Sequence, residues 1–517
     1  MLNAPDRGLH VRTDPGALRA RALGGAAVNL VAQAIKIAIQ IASIIVLARL
    51  LSPTDFGVFG MVLPVTAFIL IFQDLGLSQA AVSSPHLTYG QLNSTFWINF
   101  AISLAAAVLL AGLAPILALF YRDQRVFDLT LALAVTTPIS GLMTQHFALL
   151  SRQMRFTWIA ALDIVSLIGG FIASVVVALI WPSYWALFAS LLATMLILLV
   201  GSWLGARWRP GWPTPWTKVG PMLHFGGGVI GFNLSTYVAR NLDKVLIGWR
   251  AGPLELGLYD RAYKLLLFPL QHLNGPIARV MVPVLSRLAD DPVRYRSVYI
   301  RTTQQILLFA VPGAVFMIAT APILVPTLLG HEWVGAVPIF AWLAISGLHL
   351  PMTGTMGWLF VSQSRTTEYA LWGLFNAITC AVAFAAGLHW GAYGVAVAYG
   401  VSDVLVRLPV LWWYVGRTGP VRTRDLYRLA APFAVAGAAA GTVLWCIERT
   451  ITYHALPYLA IACVVSYVMT VAVLAIFPEG RAVLRESFNL VGGCWTMLRA
   501  FPSGLLKKCF VRYGRAL

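Results

Sequence analysis

The chain has 517 residues, of which 59% are hydrophobic and only 11% are charged. An ordinary soluble domain has about 25% charged residues, so this composition excludes a soluble globular protein and predicts a polytopic membrane protein. The net charge of +18 would otherwise suggest a nucleic-acid partner, but most of the basic residues lie in loops between apolar segments. We therefore expect this charge to reflect membrane topology, with no nucleic-acid binding.

About fourteen apolar segments are long enough to cross a hydrocarbon core of roughly 30 Å as helices. They predict an all-α fold, a polytopic membrane helical bundle of two pseudo-symmetric six-helix lobes plus two C-terminal helices. The predicted spans are 25–47, 57–80, 94–120, 127–150, 158–180, 184–206, 223–249, 256–284, 303–328, 335–361, 367–388, 391–414, 427–447 and 455–477.

Two of these spans carry the same polar stripe. The stripe of the first span is Asn29, Gln33, Lys36 and Gln40, and that of the seventh is Asn233, Tyr237, Arg240 and Lys244. Both sets are spaced 4, 3 and 4 residues apart, so each lies on one helix face, and the offset between them is 204 residues. A second similarity follows at offset 200, between Pro53-Thr-Asp-Phe-Gly57 and Pro253-Leu-Glu-Leu-Gly257. The chain is therefore interpreted as an internal duplication.

The duplication predicts the domain organisation. A cytoplasmic segment, 1–22, lacks the apolar core of a secretory signal, so we expect the first span to be retained as an anchor. The N-terminal lobe, 23–206, holds spans 1–6, and a Trp/Pro-rich linker, 207–222, joins it to the C-terminal lobe, 223–414. Both lobes begin on the same side of the membrane, so the repeats are parallel. Spans 13 and 14, 427–477, form an appendage, and the basic tail, 478–517, has the mixed composition of an interfacial segment.

Loop charges predict the orientation. With a cytoplasmic N-terminus, twenty-five basic residues fall on the cytoplasmic side, and the five on the opposite side are Arg49, Arg122, Arg125, Arg250 and Arg449. This asymmetry predicts that both termini are cytoplasmic. The remaining basic residues lie in or at the edges of spans and are Lys36, Arg240, Lys244, Arg261, Lys264, Arg279 and Arg407.

Cations inside spans indicate an anionic ligand, because a charged side chain at mid-membrane costs at least ~2.5–3.5 kcal/mol. We expect Lys36, Arg240 and Lys244 to line one central cavity, with Lys264 near it. Lysine and arginine bind phosphate oxygens, and the Asn, Gln and Tyr residues of the two stripes suit sugar hydroxyls or water.

Carboxylates in the spans leave a structural alternative open for each cation. Lys36 would then pair with Asp163 or Asp403, and Arg240 with Asp243. Lys264 would extend to the membrane surface. The i,i+4 spacing of Asp403 and Arg407 predicts an intrahelical pair. The residues assigned to pairing or ion coupling are thus Asp163, Asp243, Asp403 and Arg407, while His272 and His349 are interpreted as packing or interfacial residues.

The stretches Leu50-Leu-Ser-Pro-Thr-Asp-Phe-Gly57, Asn241-Leu-Asp-Lys-Val-Leu-Ile-Gly248, Leu256-Gly-Leu-Tyr-Asp-Arg-Ala-Tyr263 and Leu267-Phe-Pro-Leu-Gln271 resemble the polysaccharide transporter family of bacterial Wzx-type flippases. The resemblance covers roughly residues 20–480. This family shares a superfamily with the multidrug and toxin extrusion antiporters and the lipid II flippase. The resemblance implies a two-lobed bundle with a central cationic cavity. It also implies transport of an undecaprenyl-diphosphate-linked oligosaccharide from the cytoplasmic to the periplasmic leaflet of the inner membrane.

The partners implied are the lipid-linked oligosaccharide, membrane lipids and polysaccharide polymerase or export proteins. No cofactor or metal is expected, since the five cysteines have no C-x-x-C spacing. The alternative within the superfamily, a cation-coupled multidrug antiporter, calls for a carboxylate-lined cavity. An enzyme such as a polymerase or ligase would need a sizeable external loop or a catalytic constellation. The driving force, whether membrane potential, protons or sodium, stays open.

Overall fold

The computed structural model describes residues 15–71, 88–213, 220–450 and 455–487. Side chains are described within these ranges except at 15–31, 220–236, 238–240, 270–274, 276 and 450. The described part of the chain is almost entirely helical and contains no strand. This agrees with the predicted all-α fold.

The described helices follow one another in the order α1 (Pro15–Leu50), α2 (Pro53–Ile71), α3 (Tyr89–Tyr121), α4 (Gln124–Arg152), α5 (Phe156–Ile180), α6 (Trp185–Ala206), α7 (Gly220–Arg287), α8 (Pro292–Ala319), α9 (Ala321–Leu329), α10 (Ala336–Gly347), α11 (Leu350–Ser362), α12 (Thr366–Gly387), α13 (Gly391–Ser402), α14 (Leu408–Gly416), α15 (Thr423–Thr450) and α16 (Ala455–Ile476). Short 3₁₀ turns lie at His331–Trp333 and Leu388–Trp390, and the π-helical turn Asp403–Arg407 joins α13 to α14.

Ten helical stretches in the described residues are long and apolar enough to cross a membrane, or eleven if the bent pair α10–α11 counts as one span. Helix α7 is broken at Gly252, whose φ of 85° and ψ of −179° are not helical, and this break separates the predicted spans 223–249 and 256–284. The stretch Thr366–Gly416 contains α12, α13 and α14 and so covers two predicted spans. The multi-pass membrane fold is confirmed, and the predicted count of fourteen is consistent with these breaks.

Local capping explains where α3 and α4 begin. The Thr88 hydroxyl accepts the Gln91 N–H, and the Gln91 side chain accepts the Thr88 N–H, which is a capping box. At the next helix Asp123 accepts the Arg125 N–H at 3.0 Å. These contacts satisfy amide groups that the first turn of a helix leaves unpaired.

The chain divides into two compact units. The first comprises the described residues of Met1–Tyr263 with Val325–Ile339 and Ala377–Tyr399, and the second those of Lys264–Leu324, Phe340–Asn376 and Gly400–Leu517. The first unit therefore holds all the described helices of the first repeat together with three separate segments of the second repeat. The division into lobes at the 207–222 linker stays a prediction.

Within the first unit, α3 packs on α4, α5 packs on α6, and α1 packs along α5. Small residues allow this close approach. A Cβ on Gly170 of α5 would lie 2.8 Å from the Ser190 carbonyl oxygen of α6. Small residues at helix contacts are typical of membrane bundles, where packing rather than the hydrophobic effect holds helices together.

The two duplicated turns pack against each other reciprocally, also within the first unit. A Cβ on Gly57 would lie 1.7 Å from the carbonyl oxygen of Pro253, and a Cβ on Gly257 would lie 1.8 Å from that of Pro53. Only glycine fits at either position, because any other side chain would overlap the backbone of the opposite turn. We call these four residues the turn junction.

The acidic residue of each turn accepts a backbone hydrogen bond from a later helix of the same repeat. Asp55 accepts the Tyr184 N–H at 3.0 Å, just before α6 begins, and Glu255 accepts the Ala392 N–H at 3.2 Å, at the start of α13. Both carboxylates lie at a helix N-terminus, where a negative charge is favourable. The sequence similarity between the two turns therefore corresponds to the same structural role in each repeat.

Near the turn junction, the end of the first span of each repeat contacts residues of the other repeat. At the end of α1, Arg49 donates to the Thr327 carbonyl oxygen at 2.7 Å, and Ala48 accepts the Trp333 indole N–H at 2.7 Å. Before the break in α7, the Trp249 ring stacks on Phe120 at the end of α3, with centroids 5.9 Å apart. Each repeat thus holds the end of the first span of the other.

In the second unit, α15 and α16 pack on α8. Ser466 of α16 donates to the Pro312 carbonyl oxygen at 2.7 Å. The predicted appendage, spans 13 and 14, is therefore anchored to one helix of the second repeat. Helix α8 also packs on α11, where the Tyr299 and Thr355 hydroxyls are 2.9 Å apart.

The first part of the predicted tail is described and helical over 478–487. It contacts α8, because Ser487 donates to Gln305 at 2.6 Å and Glu486 lies 3.6 Å from Arg301. The remainder, residues 488–517, lies outside the described residues, so the interfacial tail stays a prediction.

Candidate functional site

Lys36, the basic residue of the first stripe, is paired. Its ammonium donates a hydrogen bond to Asp163 of α5, which packs along α1. The lysine and aspartate side chains remain 23% and 36% exposed. Of the two carboxylate partners that the sequence left open, the structure has Asp163. Lys36 is therefore paired with a carboxylate, and its place in a central cavity stays a prediction.

Among the other members of the first stripe, the structure describes the side chains of Gln33 and Gln40. Gln33 is exposed and Gln40 is half-buried on α1. The side chain of Asn29 lies outside the described residues. Their predicted contacts with sugar hydroxyls or water stay predictions.

The second repeat pairs Lys244 with Asp260, a residue that the sequence analysis missed. The ammonium nitrogen lies 3.3 Å from Asp260 Oδ1, and the two side chains are 17% and 3% exposed. They are 16 residues apart in sequence and meet because the break at Gly252 lies between them. No helical spacing rule predicts this pair; the non-helical glycine is the signal that could have suggested it.

Asp243 is buried beside this pair. It accepts the Tyr259 hydroxyl at 3.0 Å and the Lys244 backbone N–H at 2.8 Å. The side chain of Arg240 lies outside the described residues, so its pairing with Asp243 stays a prediction; the side chain of Asn233 also lies outside them. The carboxylate is nevertheless satisfied by two donors of its own repeat.

The structure also describes three further residues of α7, namely Tyr237 of the second stripe, Arg261 and Lys264. The Tyr237 hydroxyl donates to the Pro64 carbonyl oxygen of α2 at 2.9 Å, so this stripe contacts the first repeat. Lys264 is half-buried and begins the part of α7 that belongs to the second unit. Arg261 stacks over the Phe56 ring at 3.8 Å, and Phe56 in turn contacts Trp333 with centroids 5.4 Å apart.

The predicted Asp403–Arg407 pair is confirmed in the second unit, with 3.2 Å between Arg407 Nη2 and Asp403 Oδ1. Both residues are buried. The structure adds a third member, because His349 Nε2 lies 3.0 Å from Asp403 Oδ2. We call these three residues the buried triad. His349 is therefore more than a packing residue, and its partner, 54 positions later in the sequence, carries no sequence signal.

The arrangement determines what the candidate site can do chemically. Lys36 and Lys244 are each balanced by one carboxylate, so an anionic ligand must compete with that carboxylate for the lysine. The Lys36–Asp163 pair is the more accessible of the two. Across the described ranges, no group of three or more His, Cys, Asp or Glu side chains is placed to hold a metal ion.

Comparison with solved structures identifies the fold. The structure titled "Lipid II flippase MurJ, inward closed conformation" matches with a TM-score of 0.70 at 12% identity, covering 87% of this chain and 98% of that one. An inward-facing multidrug resistance MATE family transporter of the MOP superfamily matches with a TM-score of 0.57 at 14% identity, covering 76% and 96%. At these identities the likeness concerns the fold alone.

Sequence comparison identifies relatives. Lipopolysaccharide biosynthesis protein WzxC of Escherichia coli (strain K12) is 22% identical over 391 residues, which are 75% of this chain and 80% of the relative. Succinoglycan biosynthesis transport protein ExoT of Rhizobium meliloti (strain 1021) is 26% identical over 369 residues, 71% and 72% of the two chains.

A family profile extends this result. The profile described as "Polysaccharide biosynthesis protein" matches residues 46–338, more than half of the chain, including both duplicated turns. The resemblance inferred from those turns is confirmed by this match and by the relatives. The chain belongs to the polysaccharide biosynthesis protein family.

Proposed function

We propose that this protein is a flippase that moves an undecaprenyl-diphosphate-linked oligosaccharide, the repeat unit of an exopolysaccharide or O antigen, from the cytoplasmic to the periplasmic leaflet. It would act by alternating access in a bacterial inner membrane and catalyse no covalent chemistry. The observation that carries this proposal is the duplicated polar stripe, which brings a lysine into an apolar span of each repeat. The names of the relatives, which concern lipopolysaccharide and succinoglycan biosynthesis, support the substrate class.

The chemistry of such a substrate explains the need for these residues. A diphosphate carries about two negative charges, and moving bare charge into hydrocarbon costs tens of kcal/mol by Born arguments. A carrier must therefore replace water with fixed donors, while the lipid tail remains in the bilayer. Lysine and arginine supply such donors to phosphate oxygens.

We assign the first contact with the diphosphate to Lys36. In the substrate-free protein Asp163 keeps this cation satisfied, which matters because an unpaired charge inside an apolar span is strongly unfavourable. The diphosphate then replaces Asp163 as the partner of Lys36. Lys244 is paired with the more deeply buried Asp260. It therefore adds to the positive electrostatic potential at the site and does not contact the diphosphate directly.

The remaining predicted residues complete the proposed site. Arg240 and Lys264 add positive charge around the diphosphate. The residues assigned to sugar hydroxyls or water are Asn29, Gln33, Gln40, Asn233 and Tyr237. An inside-negative membrane potential favours export of each negative charge by about 2.3 kcal/mol per 100 mV, so the potential alone biases the direction.

The test is a charge series at Lys36 in a strain that depends on this protein for polymer export. Lys36→Arg should keep substantial export. Lys36→Gln should reduce export at least roughly tenfold, equivalent to about 1.4 kcal/mol of lost interaction, and Lys36→Glu should abolish it. Exported polymer is quantified by immunoblot at matched protein levels, and Arg125→Gln, which removes an exposed local pair with Asp123, serves as the neutral control.

A charge swap separates ligand binding from a structural ion pair. Lys36→Glu combined with Asp163→Lys restores the pair but moves the positive charge from α1 to α5. We expect no recovery of export, and full recovery would contradict the ligand role. If the protein were a multidrug antiporter, its expression would instead raise resistance to cationic dyes and leave polymer export unchanged.

A further inference from the structure

The buried triad lies where two spans of the second unit are irregular. His349 is in the break between α10 and α11, which are bent by 40° relative to each other. Asp403 and Arg407 are the first and last residues of the π-helical turn between α13 and α14. Breaks and π-turns in membrane helices are tolerated where a segment has a function, because each leaves backbone groups that need other partners. The contact between His349 and Asp403 therefore joins the α10–α11 break to the π-helical turn.

Each ring nitrogen of His349 lies close to an oxygen atom that can accept a hydrogen bond. The Thr353 hydroxyl donates to the His349 carbonyl oxygen at 3.2 Å, which leaves the Thr353 oxygen to accept from His349 Nδ1, also at 3.2 Å. The other ring nitrogen, Nε2, is at ion-pair distance from Asp403, although it is off the line of a hydrogen bond. Both nitrogens therefore face acceptors, an arrangement that suits imidazolium, whose two nitrogens are both donors.

Other ionisable groups around the triad are few. On α7, Leu266 approaches Gly347, and the ionisable residue closest to Leu266 in sequence is Lys264. The α8 segment 304–319 contains no ionisable residue, and neither does 370–379 of α12. On α15, Tyr427 contacts Trp412 of α14, and Arg428 follows it.

The charge balance of the triad depends on one proton. Arg407 and Asp403 neutralise each other, so neutral His349 leaves the triad uncharged and protonated His349 gives it one positive charge. Losing the proton removes the positive charge of His349, so its attraction to the Asp403 carboxylate becomes weaker. In a medium of low dielectric this loss is larger than it would be in water.

We propose that His349, Asp403 and Arg407 form a proton-binding site whose occupancy fixes the angle between α10 and α11. A proton from water binds His349 and holds the α10–α11 joint against the π-turn. Its release to water frees the joint, while Arg407 keeps Asp403 neutralised. Binding breaks an O–H bond of hydronium and forms an N–H bond on His349, and release to water reverses both changes. If the protein is the flippase proposed above, this site makes its transport cycle respond to pH.

The experiment measures the joint directly and without substrate. Spin labels are placed at Ala341→Cys on α10 and Val361→Cys on α11, both in the second unit, in full-length protein whose five native cysteines are replaced. The distance between them is measured by pulsed electron resonance in lipid nanodiscs at pH 5 and pH 8. We expect a narrow distribution at pH 5 and a shifted or broader one at pH 8.

Two substitutions at His349 should fix opposite states. His349→Lys, a permanent cation, should keep the pH 5 distribution at both pH values, and His349→Gln should keep the pH 8 distribution. A purely structural histidine would not give opposite results for the two variants. The matched control is His389→Gln, a histidine of the first unit, which should leave the pH response unchanged.

The proposal is overturned if the wild-type distance does not depend on pH, or if the dependence survives in His349→Gln. Should Arg407 or Asp403 variants fail to fold, the two His349 variants still decide the matter, because they leave that pair in place. Failure of the flippase proposal would appear as a Lys36 series without effect on polymer export. The distance measurement uses no substrate and would be unaffected.

Discussion

Four charged pairs inside the described spans balance lysine, arginine or histidine against aspartate. Lys36 has Asp163, Lys244 has Asp260, and Asp403 has two basic partners. Balanced pairs lower the free energy needed to keep charge in the bilayer. An anionic ligand can still bind such a cation by replacing its carboxylate partner. This is why pairing and ligand binding are not mutually exclusive roles for Lys36.

The sequence predicted these pairs only where helical spacing decides them. Asp403 and Arg407 are four residues apart, so the intrahelical pair follows from geometry. Asp163 is 127 residues from Lys36, and its choice over Asp403 depends on α1 packing along α5, which no local pattern reports. Asp260 reaches Lys244 only across a broken helix.

The hydrogen bond from Tyr259 to Asp243 gives a stability prediction. Tyr259→Phe leaves a buried carboxylate short of one donor, so the free energy of unfolding should fall by about 1.5–3 kcal/mol, the range for bonds to charged groups. The measurement is unfolding in detergent with a denaturant. In an Asp243→Asn background the same substitution should cost clearly less, and an equal loss in both backgrounds would exclude this bond as the cause.

Element geometry centres on the turn junction, where α2 meets the break in α7. The sequence predicted that the two turns are copies, because they share proline, acid and glycine at matching positions. It did not predict that each glycine accommodates the carbonyl group of the other turn. Reciprocal packing is a property of the folded pair, and neither copy alone contains it.

A glycine substitution tests the turn junction. Gly57→Ala would place a Cβ 1.7 Å from the Pro253 carbonyl oxygen, so α2 and α7 must move apart. We expect a loss of stability above the about 1–3 kcal/mol typical of overpacked cores, together with reduced export. Thermal unfolding of the purified protein provides the measurement.

The matched control for Gly57→Ala is Gly112→Ala on α3, where a Cβ would meet no atom within 4 Å. This control should be neutral or slightly stabilising, since alanine favours helix over glycine by up to about 1 kcal/mol. Equal effects of the two substitutions would show that helix propensity, and not the turn junction, explains the result.

At the scale of the whole molecule, composition and apolar periodicity were enough to predict the class, an all-α multi-pass membrane protein. Span boundaries followed closely because the lipid environment demands continuous apolar helices of set length. The exceptions are the irregular places, such as Gly252 and the π-turn at Asp403–Arg407, where tertiary contacts rather than hydrophobicity determine the backbone.

Membrane orientation is a prediction from loop charge that reporter fusions can check. A reporter fused at Gly211 or after Leu517 should be active as a cytoplasmic enzyme, and one inserted at Glu332 as a periplasmic one. The physical reason is the excess of Lys and Arg in loops on the cytoplasmic side. Periplasmic activity after Leu517 would require an odd number of spans.

The turn junction also has a consequence for biosynthesis. The partner of Gly57 is synthesised 200 residues after its own turn, and at about 5–20 residues per second this delay lasts roughly 10–40 s. During this interval the first repeat is already in the bilayer with one face of its turn uncovered, and the contacts of α3 to α6 must hold it in shape. Maturation of the nascent chain therefore requires the first repeat to remain stable until the second repeat has been synthesised.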